Sequence, residues 1–343
     1  MTIRAGLIGF GLAGSYFHAP LMTAAGLRLR AVVTSRTDQL RKLYPDATAV
    51  TSHAELAARD DIDLVVVASP SQFHFEHARD ALAAGKHVVI DKPASASVAQ
   101  IDELTQLARE KSVKLAVFQN RRWDSDFLTL RELIADGHLG DVTLFRARWD
   151  RFRPEVVGKW REPPVPAGGM LYDLGSHLID QALVLFGRPD WLQADVFTQR
   201  SECSSDDAFE ILMAKGPLRI LLAANYLAGP GDWRYVIHGS QRSFFKTGID
   251  PQEDQSRAGM KFLDAGFGVE AATLAGTLVE NANGQSQRIS SATGRWLTFY
   301  ELLRKSIEED TAPPVTAADA RAILEIIEAA QRSSREGRRI QFS

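Results

Sequence analysis

Five short apolar runs constrain the first third of this chain more than any other feature. Ile3–Ile8, Leu29–Val33, Leu64–Ala68, His87–Ile90 and Leu115–Phe118 are nearly continuous in valine, isoleucine, leucine and alanine. A strand with one wet face alternates polar and apolar residues, so runs of this kind are expected of strands buried on both faces of a parallel sheet. Helix-length amphipathic stretches separate them. Phe73 to Ala84 ends at Gly85, a natural terminator, and Ser97 with Gln100 has capping-box spacing ahead of Ile101, Leu104 and Ala108. The alternation is that of a βαβαβ unit, which predicts an α/β fold with a doubly wound parallel sheet.

The pattern changes after Arg122. Met170 to Phe186 reads as an apolar helix, and β-rich runs follow closely at Asp195–Thr198, Ala208–Ala214, Leu218–Ala224, Arg234–His238 and Ser243–Lys246. Turn-forming Lys215-Gly216-Pro217 and Gly239-Ser240 separate some of them, as in antiparallel hairpins. Two helices are expected near the end, at about Arg295–Glu309 and Ala317–Arg335, the second opened by Thr316 and Asp319. The polar, glycine-rich stretch 248–294 reads as loop. A chain of 343 residues exceeds what one core supports, and the change of pattern divides it into 1–122 and 123–343. The first is expected to be a Rossmann dinucleotide-binding domain, and the second an α+β domain with a large, mostly antiparallel open sheet.

Composition narrows the partners. With 40 basic and 43 acidic residues the net charge is -3, which argues against nucleic acid as a main partner. Cys203 is the one cysteine, so no intramolecular disulfide framework forms, and a reducing, cytoplasmic setting is expected. No apolar stretch is long enough to span a membrane.

Gly9-Phe10-Gly11-Leu12-Ala13-Gly14 is a G-x-G-x-x-G that closes the first strand and opens a helix, the context in which the motif carries meaning. Gly9 permits the tight turn, Gly11 the approach of a pyrophosphate, and Gly14 the close packing of helix on strand. A site for NAD would place a carboxylate about 20 residues further on, to accept from the ribose 2′-hydroxyl. Thr34-Ser35-Arg36 stands there instead, and Ser35 and Arg36 suit a 2′-phosphate, so NADP is expected over NAD. Ser69, Pro70, His74 and Pro93 are placed along the same nucleotide crevice.

Two segments carry the chemistry. Lys92, in Asp91-Lys92-Pro93, follows a strand at the carboxyl edge of the parallel sheet, where ligands bind in open α/β folds. Asp173 and His177 lie four residues apart and share a face if the segment is α-helical, so the carboxylate can orient the imidazole as a general acid/base. Asn120, Arg121 and Trp123 follow the last Rossmann strand and offer donors and an aromatic wall for a polyhydroxylated substrate; Tyr172 and His18 are further candidates for substrate contact. His74 and His77 are weak metal ligands with no acid or cysteine completing a site, and no metal is expected. His77 reads as solvated, and His53, His87, His138 and His238 have no partner the sequence identifies. Trp160 and Arg161, in the proline-rich segment 158–166, are candidates to cover the site.

G-F-G-L-A-G near the start, D-K-P after the run His87–Ile90 and G-G-M-L-Y-D-L-G-S-H-L-I-D together resemble the glucose–fructose oxidoreductase/inositol 2-dehydrogenase family. Residues 15–20, 118–126 and 150–154 resemble its NADP-dependent scyllo-inositol 2-dehydrogenase branch. The resemblance implies Lys92, Asp173 and His177 as catalytic residues. The family has glutamate where this chain has Asp91, which leaves the role of that carboxylate in doubt. It further implies hydride transfer between nicotinamide and a secondary alcohol or ketone of a cyclic polyol or sugar, and a homodimer or homotetramer built through the open sheet. The same chemistry on another sugar or a dihydrodiol, or a non-catalytic NADP sensor, are the alternative readings.

Overall fold

The structure, a computed structural model, describes residues 2–156, 165–229 and 233–342, so the expectation for Trp160 and Arg161 lies outside the described residues. The chain divides into two compact units. Met1–Asn120, Glu253–Phe267 and Trp296–Arg321 form the first; Arg121–Gln252, Gly268–Arg295 and Ala322–Ser343 form the second. The break at Asn120/Arg121 falls two residues before the expected boundary. The remainder is not one continuous domain, however, because two later segments belong to the first unit.

In the first unit, β1 (Arg4–Ile8), β2 (Arg28–Val33), β3 (Thr48–Val50), β4 (Leu64–Val67), β5 (His87–Asp91) and β6 (Leu115–Phe118) make one parallel sheet in the order β3-β2-β1-β4-β5-β6. The five apolar runs are five of these strands. All four residues of β4 are fully buried, as its unbroken Leu-Val-Val-Val requires. The strand order reverses between β1 and β4, which opens a crevice beyond the carboxyl ends of those strands. The returning segment docks on this sheet: the helix Leu297–Glu308 packs beside Ala19–Ala24, Arg304 Nη1 donates to Ala25 O at 3.0 Å, and Val117 N donates to Val315 O at 3.2 Å.

In the second unit, β7 (Val142–Arg148), β8 (Trp191–Phe197), β9 (Ala208–Lys215), β10 (Leu218–Asn225), β11 (Tyr235–Gly239), β12 (Arg242–Lys246), β13 (Gly276–Glu280), β14 (Ser286–Ile289) and β15 (Ile340–Gln341) form a nine-stranded sheet. Its order is β14-β13-β12-β11-β7-β10-β9-β8-β15, and every neighbouring pair is antiparallel except β7 with β10. Along β10, Leu218, Ile220 and Leu222 point inward while Arg219 and Leu221 point out. The helix Ser176–Phe186 packs against β10.

The stretch 248–294 is not loop. It holds β13 and β14 and the helix Gln252–Arg257. Two buried carboxylates anchor it: Glu270 takes Lys246 Nζ at 2.7 Å, and Asp250 takes Ser125 N at 2.6 Å. Among the described residues, no helix is long and apolar enough to cross a membrane.

Candidate active site

The glycine loop of the first unit has the geometry its sequence demands. Gly9 sits at φ +98°, and a Cβ there would lie 2.6 Å from Ala68 O; at Gly14 it would lie 2.1 Å from Gly9 O. At Gly11 nothing lies within 4 Å, so the backbone is open to a ligand on the side where a side chain would otherwise stand. Tight turn, close packing and free approach fall on the three glycines in the order a dinucleotide cradle requires. Beside it, Phe10, Gly11, Val33, Thr34, Ser35, Arg36 and Thr51 line a cavity of about 500 Å³. Among the described residues no carboxylate lines it. Arg36 Nη1 donates to Phe10 O at 3.2 Å and its backbone N to Thr34 Oγ1 at 2.9 Å, which holds the guanidinium along the cavity wall.

The helix after the glycines is π-helical over Ala13–His18 and α-helical over Ala19–Ala24. Pro20 accounts for the widening: it has no N–H to give the carbonyl of Tyr16, and its ring crowds that oxygen. Tyr16 O instead accepts from Ser256 Oγ at 2.7 Å. His18, at the end of the wide turn, is fully buried rather than facing a crevice. Its Nδ1 shares a hydrogen bond of 2.6 Å with the Tyr300 hydroxyl, its ring packs on Phe118, and its Nε2 is 3.7 Å from Asp91 Oδ2. His18, a candidate for substrate contact from the sequence, thus lies beside Asp91 in the structure.

Asp91 acquires a structural role that the sequence left in doubt. Burial opposes its charge, but His18 and Lys92 outweigh that cost and hold its carboxyl below the ordinary carboxylate range. Its Oδ1 accepts from Lys92 N at 2.8 Å, which fixes the backbone from which the lysine side chain leaves. His74 is likewise a support: buried itself, it ties Pro93 O (2.7 Å from Nδ1) to Ser69 O (2.8 Å from Nε2). Desolvation by burial holds His74 below the usual imidazole pKa, against the pull of Asp91 and of the two carbonyls. Asn120, which ends the first segment of this unit, is buried.

In the second unit, Leu171–Gly175 is a π-turn that runs into the α-helix Ser176–Phe186. Such turns are rare and concentrate at functional sites. Tyr172 and Asp173 lie in the turn and His177 in the first turn of the helix; all three are buried. Asp206 anchors the turn, since its backbone O accepts from Met170 N at 2.9 Å and its Oδ2 from Leu171 N at 2.7 Å. Only glycine fits at 169, where φ is +80° and a Cβ would meet Asp206 Oδ1 at 2.0 Å. Burial pushes Asp206 up to about 6, against the backbone donors that pull it down. Burial pushes the Tyr172 phenol up to about 12, which keeps it protonated.

Sequence reasoning missed Trp149, just before the segment 150–154 that it did single out. Its indole, 2% exposed, packs 5.9 Å from the His177 ring and carries the Arg121 and Arg234 guanidiniums at 4.7 and 4.9 Å. Arg121 also contacts Asp124 at 3.4 Å, while Arg122 makes a bidentate pair with Asp180 at 2.6 to 3.1 Å. Gln181 ties the cluster together, donating to Arg121 O at 3.2 Å and accepting from Arg234 Nη2 and the Tyr235 hydroxyl at 3.0 and 2.8 Å. The Trp123 carbonyl accepts from Gln252 Nε2 at 3.1 Å. In the second unit His177 and Arg121 thus meet on Trp149, while Tyr172 and Asp173 lie in the turn that leads into the His177 helix.

A glycine cradle on a doubly wound sheet and an acid–imidazole helix on a mostly antiparallel sheet are the parts of a nicotinamide-dependent oxidoreductase. The sequence matches the oxidoreductase family's NAD-binding Rossmann fold over residues 3–119 and its C-terminal alpha/beta domain over residues 131–342. The chain belongs to the Gfo/Idh/MocA oxidoreductase family. It is 41% identical to the scyllo-inositol 2-dehydrogenase (NADP(+)) IolW of Bacillus subtilis, over 99% of this chain and 96% of that one. It is 38% identical to the oxidoreductase YdgJ of Escherichia coli, over 95% of each. Among solved structures, the oxidoreductase yvaA of Bacillus subtilis matches with a TM-score of 0.97 at 40% identity, covering 100% of this chain and 99% of that one.

Proposed function

We propose that the chain is an NADP-dependent dehydrogenase acting on a secondary alcohol or ketone of a cyclic polyol or sugar, with scyllo-inositol and the corresponding inosose as the favoured pair. The observation that carries this reading is the cavity at the end of β2, walled by Thr34, Ser35 and Arg36 with no carboxylate to accept from a ribose 2′-hydroxyl. The name of the Bacillus subtilis relative supports the same cofactor and substrate. Gly9, Gly11 and Gly14 would hold the pyrophosphate, Ser35 and Arg36 the 2′-phosphate, and Ser69, Pro70 and Pro93 the crevice between. When bound, the cofactor supplies the hydride acceptor or donor.

The remaining chemistry falls to the side chains. In the oxidation direction an imidazole nitrogen of His177 takes the hydroxyl proton. Lys92 Nζ donates to the same oxygen and stabilises the negative charge that develops there. Asp173 orients His177 or a neighbouring substrate hydroxyl. Arg121, stacked on Trp149, and Trp123 serve recognition of the other hydroxyls. Cys203 being the single cysteine accords with a cytoplasmic enzyme.

The test is a panel of inositols and aldoses assayed with NADP and with NAD by absorbance of the reduced cofactor. Turnover of scyllo-inositol with NADP is expected; no signal with any polyol or sugar would favour a nucleotide sensor instead. We also propose pairing through the outer face of the nine-stranded sheet, where Leu221 is 37% exposed between the charged Arg219 and Glu210. A monomer by light scattering would contradict it.

A further inference from the structure

We propose that His53, Glu76 and Asp80 form a binding site for a divalent transition metal of the zinc type on the first unit, apart from the groups assigned to catalysis. His53 is the first residue of the helix His53–Ala57. Glu76 and Asp80 lie four residues apart on the helix His74–Ala83 and so share one face. One ligand atom from each of the three lies within 4.8 Å of the others, and His53 Nε2 is 3.0 Å from Asp80 Oδ2. In a tetrahedral site with metal–ligand bonds of about 2.0–2.2 Å, neighbouring ligand atoms stand about 3.3 Å apart. The imidazole and the aspartate are already near that separation, and a rotation of the exposed Glu76 side chain brings in the third.

The charges ask for a cation. Two carboxylates one helical turn apart repel. Arg79 answers part of this through Asp80 Oδ1, at 3.1 Å, and leaves Oδ2 turned to His53. Glu76 makes no hydrogen bond or ion pair among the described residues. One imidazole and two carboxylates are a donor set that suits zinc, with water completing the coordination. Both His53 and Asp80 keep about a quarter to a third of their side-chain surface open, at 24% and 34%, so an ion and its waters have access.

The imidazole is also held in place. The His53 ring packs on His77 at 4.3 Å, and His77 Nδ1 bonds to Ser69 Oγ at 2.9 Å, so His77 is not the solvated residue its sequence position suggests. For His53 to ligate through Nε2, its proton must reside on Nδ1. The ligands come from two helices separated by β4 in sequence, which is why a search for adjacent histidines and acids passes over them.

The test is calorimetric titration of ZnCl2 into full-length protein freed of metal by a chelator, alongside His53→Ala, Glu76→Gln and Asp80→Asn, with circular dichroism to establish that each variant is folded. One equivalent is expected to bind the wild type. Affinity should fall more than about tenfold in His53→Ala and Asp80→Asn, since losing even an outer hydrogen-bond partner of a metal ligand has that effect. Co2+ serves as a second probe on the wild type alone, where binding at this site gives the visible absorption of a low-coordinate Co2+ centre that Zn2+ abolishes. Wild-type protein that binds no Zn2+ saturably, shows no such Co2+ spectrum, or keeps its affinity in all three variants overturns the proposal.

Discussion

Replacing Arg36 with alanine isolates the term on which the cofactor assignment rests. Among the described residues Arg36 is the only charged side chain on the wall of the cavity beyond β2, and its bond to Phe10 O already directs it along that wall. A hydrogen bond between a guanidinium and a phosphate contributes about 1.5–3 kcal/mol, with the lower end expected here because Arg36 is exposed. At 1.4 kcal/mol per decade this corresponds to a rise of about 10- to 150-fold in KM for NADP. NAD has no 2′-phosphate, so its KM should change by less than about twofold, and kcat with NADP should be kept because the reacting groups lie elsewhere. Initial rates with each cofactor at fixed polyol measure both numbers. Added salt should narrow the wild-type preference, since an exposed charge pair is screened. An equal rise in KM for both cofactors would mean that Arg36 only supports the glycine loop, and a wild-type preference for NAD would refute the argument outright.

Three further outcomes are expected. Lys92→Ala and His177→Ala should each lower kcat by about 10²- to 10⁴-fold while leaving the Kd for NADP within a few-fold, checked by rates and by cofactor fluorescence; near-wild-type turnover would remove the residue from the mechanism. Burial raises Asp250 to about 6, so the native state holds a proton that the unfolded chain releases near pH 4, and stability falls as pH rises from about 4 to 6. The shift of about two units corresponds to about 3 kcal/mol, which Asp250→Asn should remove from the pH dependence; parallel urea midpoints from pH 4 to 7 would refute it. Glu270→Gln leaves Lys246, which is fully buried, without its counter-charge and should cost about 3–5 kcal/mol by chemical denaturation, whereas a loss below about 1 kcal/mol would mean that water relieves the pair.

What the sequence disclosed, and what it hid, divides along the range of the interactions. The three glycines were legible because their constraint is local: a positive φ at Gly9, a carbonyl 2.1 Å from any Cβ at Gly14, open space at Gly11. The five apolar strands were legible because burial on both faces leaves no polar alternative. β3 has three residues, and β14 (Ser-Gln-Arg-Ile) is largely exposed, so neither carries an apolar signal; their backbone pairing with β2 and β13 is what makes them strands. The return of Trp296–Arg321 to the first unit was invisible for the same reason, since Val315 meets Val117 across nearly two hundred residues.

The two π-turns show the limit most sharply. Over five or six residues a π period cannot be told from an α period by apolar spacing, yet the difference decides where His18 points and how the turn bearing Asp173 is built. At the first turn the signal was present in Pro20, which denies a hydrogen bond to Tyr16 O and forces the helix to widen. At the second it lay outside the segment, in Asp206, which fixes the turn from thirty-five residues away. Reading Asp173 and His177 as an i, i+4 pair on a regular helix therefore holds only in part, because Asp173 lies in the π-turn and His177 in the α-helix after it. Gly169 and Asp206 make the arrangement specific. A Cβ at 169 would displace the carboxylate that receives Leu171 N, so a Gly169→Ala chain would lose the anchor of the turn while every proposed catalytic side chain remained present.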